Sequence, residues 1–162
     1  MSTPPPTTPT IATLERISRD KLAALIQSNA NTLPASVAII DVRDSDHVGG
    51  HIRGSTWVPS SRLDSAVPEL VRTLRDKQTV VFHCALSQQR GPSAALRYAR
   101  EKGRLEEAAG KEKGEGEGEG EGESTKQKVV VLEGGFTEWQ EKYGQDEKLT
   151  EGWEKDVWEF GQ

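Results

Sequence analysis

The chain has 162 residues, 21 basic and 26 acidic side chains for a formal net charge of −5, one cysteine and a hydrophobic fraction of 33%. That length holds one hydrophobic core and not two, and a single cysteine excludes an intramolecular disulfide scaffold. No stretch approaches the roughly 18 apolar residues of a membrane span, no basic patch suggests nucleic acid, and a lone thiol without a secretory leader pattern suits a reducing, cytoplasmic or nuclear setting.

Residues 1–12, rich in Ser, Thr and Pro, bury nothing and are expected to be disordered, leaving residues 13–162 as one domain. Ser18 is placed to cap a short amphipathic helix over Lys21–Ile26. Val37–Ile40 is a continuous apolar run, which suits a strand covered on both faces. A polar loop follows from Asp41 to Gly54, then a short strand Thr56–Val58 closed by Pro59. Pro68–Leu74 predicts a helix with Pro68 in its first turn. Thr79–His83 is the next buried strand, and Gly91–Lys102 a helix opened by Pro92 and ended by Gly103.

Six acidic residues and two lysines fall within residues 110–124, so the acidity belongs largely to an insert. Gly114–Glu123 alternates Gly and Glu, and a flexible insert is expected over residues 108–126. Lys128–Leu132 is another strand, and Glu133-Gly134-Gly135 turns into a helix over Phe136–Gln140. The tail carries Trp153, Trp158 and Phe160 and is expected to fold back, since large aromatics at a free end would otherwise be exposed. Trp57, Trp139, Trp153 and Trp158 are assigned to packing rather than to a substrate platform. Strands alternating with helices imply an α/β domain: a central, mostly parallel sheet with helices on both faces.

The chemistry concentrates at the end of the Thr79–His83 strand. Cys84 follows it directly, and five residues later Arg90 precedes a helix. Ligands of parallel sheets bind beyond the carboxyl ends of strands. A loop closing into a helix N-terminus turns backbone N–H groups inward and makes an anion-binding nest. A thiol in such a place is expected to ionise readily, and the planar fork of Arg90 fits two oxygens of a tetrahedral oxyanion. Ala85, Leu86, Ser87, Gln88, Gln89 and Arg90 would form the cradle and Cys84 the nucleophile. His83 should point to the opposite face of the strand and support the loop rather than act as base. His47 and His51 are assigned to the fold, and three scattered histidines with one cysteine make no metal site.

Ile40-Asp41-Val42-Arg43, His51-Ile52-Arg53-Gly54-Ser55, Val58-Pro59, Val81-Phe82-His83-Cys84 and Leu132-Glu133-Gly134-Gly135-Phe136-Thr137-Glu138-Trp139 resemble the successive motifs of the rhodanese superfamily, in the family's order. Within it, sulfurtransferases have a shorter active loop. The five residues between Cys84 and Arg90, followed by Gly91-Pro92, are similar to the cell-division-cycle dual-specificity phosphatases and to related fungal arsenate reductases and small phosphatases. The resemblance implies a phosphatase working through a cysteinyl-phosphate, or an arsenate reductase, ahead of a non-catalytic oxyanion- or partner-binding module and of a sulfurtransferase. It also implies that Asp41 and Arg43 support the loop as a satisfied buried pair.

There are departures. The loop acids of the cell-division-cycle phosphatases are replaced by Ala85 and Gln89, which leaves Asp44 and Asp46 as candidates for the general acid. Gly91 removes the hydroxyl that many tyrosine phosphatases carry after the arginine, a part that Ser87 would take over. No metal or organic cofactor is called for. With no second cysteine to resolve an intermediate, arsenate reduction would need an external thiol, glutathione or a glutaredoxin.

Overall fold

A computed structural model describes Thr10, residues 13–113 and residues 127–160. The rest of the expected disordered N-terminus, and residues 114–126 of the expected insert, lie outside the described residues.

The sheet forms around three apolar strands. β2 (Val37–Asp41), β5 (Thr79–His83) and β6 (Lys128–Leu132) each carry a valine- or isoleucine-rich run that suits a pleated surface buried on both sides. With β1 (Glu15–Ile17) and β4 (Thr56–Trp57) they give the order β1-β6-β5-β2-β4, every neighbouring pair parallel. A separate antiparallel ribbon pairs β3 (His51–Ile52) with β7 (Thr150–Glu151).

Side-chain alternation divides the interior in two. Ala38, Ile40, Val80, Phe82 and Val131 face one core, shared with α2 (Leu63–Thr73) and α3 (Arg90–Lys113). Val37, Ile39, Val81, Val130 and Leu132 face the other, shared with α1 (Arg19–Gln27) and α4 (Gly135–Tyr143). Helices therefore cover both faces, as the strand pattern implies. Cys84 continues the alternation into the α2/α3 core. Phe136 and Trp139 of α4 are fully buried, and truncating either to alanine would cost about 3–5 kcal/mol. Their burial anchors the helix whose first N–H groups bond the loop after β5.

Ser18 caps α1 as the sequence suggests, its side chain accepting from the Lys21 N–H at 3.1 Å. Several helix boundaries differ from expectation, α1 among them at Arg19–Gln27. α2 begins at Leu63, so Pro68 is interior rather than in the first turn. The buried stripe Leu63, Val67, Leu70 and Val71 explains the earlier start. Its burial outweighs the one hydrogen bond that a proline cannot donate. α3 runs through Gly103 to Lys113, so Gly103 is no terminus, and residues 108–113 of the expected insert are helical. α4 continues past Gln140 to Tyr143.

The tail returns to the domain through α5 (Lys155–Phe160). The Trp158 indole N–H donates to the Gly49 carbonyl (2.9 Å), and the Trp153 indole N–H donates to Oε1 of Gln140 (3.0 Å). Trp57 departs from its assignment to packing. It is 48% exposed, its ring stacks on His47, and its indole N–H donates to the Arg43 carbonyl. No helix among the described residues is long and apolar enough to cross a membrane.

Candidate active site

β5 delivers Cys84 to the carboxyl edge of the sheet, and α3 begins at Arg90, so residues 84–89 make the turn between them. The Ser87 and Gly91 N–H groups both donate to Cys84 Sγ, at 3.2 and 3.3 Å. The sulfur thus sits at the focus of the loop, with two donors arriving from opposite ends. Ser87 takes a left-handed backbone, φ 59°, which turns its N–H inward. Its hydroxyl is buried and has no hydrogen-bond partner among the described residues. Gly91 packs tightly against the strand end: a Cβ there would lie 3.2 Å from the His83 Cα.

The loop carbonyls are turned away from the sulfur because α4 takes them. The N–H groups of Phe136 and Thr137, at the start of that helix, donate to the carbonyls of Cys84 (3.0 Å) and Ala85 (2.9 Å). Arg16 of β1 adds a third brace by donating to the Ser87 carbonyl at 3.2 Å. With these carbonyls bound outside, the Ser87 and Gly91 N–H groups face in, as an oxyanion cradle requires.

Arg90 follows, but its guanidinium is already engaged. Nη1 and Nη2 donate to Oδ1 and Oδ2 of Asp46 at 2.9 and 2.7 Å, and Nη1 donates to Oδ2 of Asp44 at 3.4 Å. These bonds hold the Asp46 carboxyl down at about 2. Asp44 is also held below the ordinary carboxylate range, first by the Ser60 hydroxyl and then by the Ser61 N–H and Arg90. The chain does bring Asp44 and Asp46 to the loop. In this arrangement both are ionised, the opposite of what a general acid needs at the start of a reaction.

Behind the loop, Asp41 is a buried hub. Arg43 donates Nε and Nη2 to its carboxylate, the closest contact being 2.6 Å, and Nη2 also reaches the Gly50 carbonyl at 3.0 Å. The Arg43 guanidinium lies 4.3 Å from the Phe136 ring centroid. Burial opposes charge on Asp41, but His83 and Arg43 outweigh it and keep the carboxyl below its ordinary range. His83 points away from Cys84 towards this hub, and its Nδ1–H donates to the Cys84 carbonyl at 3.2 Å. Burial pushes its imidazole down from 6.5, which favours the neutral ring. His47 stacks 4.3 Å from the Trp57 ring, and His51 bonds Glu151 at 3.0 Å. Among the described residues, no group of three or more His, Cys, Asp or Glu is arranged to hold a metal ion.

Residues 18–142 match the family model described as a rhodanese-like domain. The chain belongs to the rhodanese-like family. Among its rhodanese-like relatives, the CDC25-like phosphatase YCH1 of Saccharomyces cerevisiae is 37% identical over 143 residues, 82% of this chain and 84% of the relative. Arsenate reductase 2.1 of Oryza sativa is 39% identical over 125 residues, 76% of this chain and 66% of the relative. The solved structure of a yeast protein tyrosine phosphatase of the rhodanese family is similar with a TM-score of 0.69 at 32% identity, covering 89% of this chain and 96% of that one. The As-Sb reductase from Leishmania major gives 0.62 at 28% identity, covering 82% and 81%.

Sequence reasoning placed Cys84, Arg90, Asp41, Arg43 and His83 in one neighbourhood, and the rhodanese-like fold brings them there. It missed Arg16, Ser60 and the N–H groups of Phe136 and Thr137. Arg16 sits in a three-residue strand without a readable period. The two α4 donors are backbone groups, which side-chain identity does not announce.

Proposed function

We propose that this chain is a cysteine-dependent phosphatase. The observation that carries it is Cys84 Sγ at the focus of inward N–H groups, with Arg90 opening the next helix. Cys84, as thiolate, attacks phosphorus. The P–O bond to the leaving group breaks and a cysteinyl-phosphate forms. Water then attacks phosphorus, returning the thiolate and releasing inorganic phosphate. The loop N–H groups and Arg90 hold the equatorial oxygens throughout. No metal or organic cofactor takes part. Cys84 must stay reduced to serve as the thiolate, in keeping with a cytoplasmic or nuclear setting.

Because Asp44 and Asp46 are ionised and bound to Arg90 in the free protein, the leaving group receives little help from an acid. Aryl phosphates are therefore expected to turn over much faster than alkyl phosphates, with a rate that falls steeply as the leaving-group pKa rises. Equal rates for both would show that an acid is at work.

The similarity to Arsenate reductase 2.1 and to the As-Sb reductase supports a second reading. Arsenate, also tetrahedral, takes the same cradle. Its reduction to arsenite consumes two electrons from an external thiol pair, glutathione or a glutaredoxin, which leaves as disulfide. One experiment separates the two. Wild type and Cys84→Ser are assayed against an aryl phosphate, arsenate with glutathione and glutaredoxin, and thiosulfate with cyanide. Phosphate release lost in Cys84→Ser supports the first reading. Thiol-dependent arsenite formation alone supports the second. Cyanide-dependent thiocyanate formation alone, or silence in all three, sinks both.

A further inference from the structure

Arg90 does not wait open for an oxyanion. Its two terminal nitrogens are spent, in fork-to-fork geometry, on the two oxygens of Asp46. That is the contact a tetrahedral oxyanion would make with the same two nitrogens. Asp46 is itself held for the purpose. Its Oδ1 accepts from the Asp44 N–H at 2.8 Å, and Asp44 is fixed in turn by Ser60 and Ser61. The segment carrying both is tied down at its far end by Arg43 and Trp158, through the carbonyls of Gly50 and Gly49. A carboxylate fixed on a braced loop, facing the anion-binding arginine, is placed as an internal stand-in for the ligand.

We propose that Asp46 is a positioning residue that acts through Arg90, competing with the oxyanion for its guanidinium and so hastening release of the oxyanion product. The proposal rests on the oxyanion site described under the function above. An arginine fork free only part of the time binds an anion with an apparent affinity reduced by that fraction. If Asp46 occupies the fork nine-tenths of the time, affinity falls about tenfold, or about 1.4 kcal/mol. Substrate and inorganic phosphate both meet this competitor. The substrate also gains from its remaining contacts and reacts onward, whereas the product has only the oxyanion to hold it.

The test is tungstate and inorganic phosphate binding by titration calorimetry to wild type, Asp46→Asn, Arg90→Ala and the double variant. Asparagine keeps the side-chain oxygen that accepts from the Asp44 N–H, and Asp46 is partly exposed (41%). Asp46→Ser gives an independent loss of charge if the asparagine variant folds poorly. The expected result is that Asp46→Asn tightens tungstate at least about tenfold and lowers the phosphate dissociation constant to match. In the Arg90→Ala background the same change should alter binding by less than about twofold. Structural damage would weaken binding, so the direction separates competition from disruption. Equal or weaker binding by both Asp46 variants overturns the proposal. So does an undiminished gain in the Arg90→Ala background, which would mean simple charge repulsion. If neither wild type nor Asp46→Asn binds tungstate or phosphate, the oxyanion site itself falls, a failure distinct from equal binding by the two.

Discussion

Gly135 shows how one missing side chain shapes the active loop. Its backbone is left-handed at φ 63°, and a Cβ there would lie 2.4 Å from the Ala85 carbonyl oxygen and 2.6 Å from that of Cys84. Those are the carbonyls that the first N–H groups of α4 must reach. Gly135→Ala is expected to cost about 2–4 kcal/mol, from left-handed strain together with overpacking. It should also lower kcat for an aryl phosphate, because relief of the clash pushes the loop off its donors. Urea unfolding and steady-state kinetics on the same preparation check both. A variant of wild-type stability and rate would show that α4 does not brace the loop. Asp41 carries a different kind of constraint. Asp41→Asn leaves the Arg43 guanidinium buried against a neutral partner, and a loss of about 3–5 kcal/mol is expected in urea unfolding. At this scale Cys84 and Arg90 were legible because they share one short stretch of chain. The partners of Arg90 and of the loop carbonyls were less so, since they lie on other elements or are backbone groups.

Elements were legible in proportion to their length and apolar content. β2, β5 and β6 announced themselves as unbroken apolar runs. β1, β3 and β7, at two or three residues, are too short to show a period. In α2 and α3 the punctuation of Pro68 and Gly103 misled, because tertiary burial and helix continuity overrode local preference. Gly103 sits inside α3 with nothing within 4 Å of where its Cβ would be. The helix is carried across it by surface ion pairs, Glu101 with Arg104 and Lys102 with Glu106. Gly103→Ala is therefore expected to stabilise the protein by about 0.5–1 kcal/mol, by restricting the unfolded chain without disturbing any contact. An unchanged or lower urea midpoint would mean that the glycine has a reason to be there which the helix alone does not supply.

Across the whole molecule, the buried and half-buried histidines set a direction for pH. Burial pushes both His83 and His47 below the ordinary value of 6.5. Between their folded values and 6.5 the unfolded chain binds more protons than the fold, so stability rises with pH there and is lost on acidification. Asp41 acts in the same direction at lower pH. Its contribution is present above the unfolded carboxylate value and is lost as pH falls through the depressed folded one. Lowering pH from about 7.5 to about 5.5 should reduce the unfolding free energy, by at most about 1.4 kcal/mol per pH unit for each histidine. Flat stability across that window would contradict a neutral, buried His83.

The sheet order has a consequence for synthesis. β6 lies between β1 and β5, so among the described residues β1 has its only strand partner more than a hundred residues later in the chain. The N–H groups that turn the loop carbonyls outward come later still, at Phe136 and Thr137. A chain emerging from the ribosome thus exposes its thiol roughly fifty residues before the segment that shapes the surrounding cradle is made. The cradle cannot take shape until α4 is made, and a nascent chain stalled before β6 would hold Cys84 without the N–H groups that order its loop.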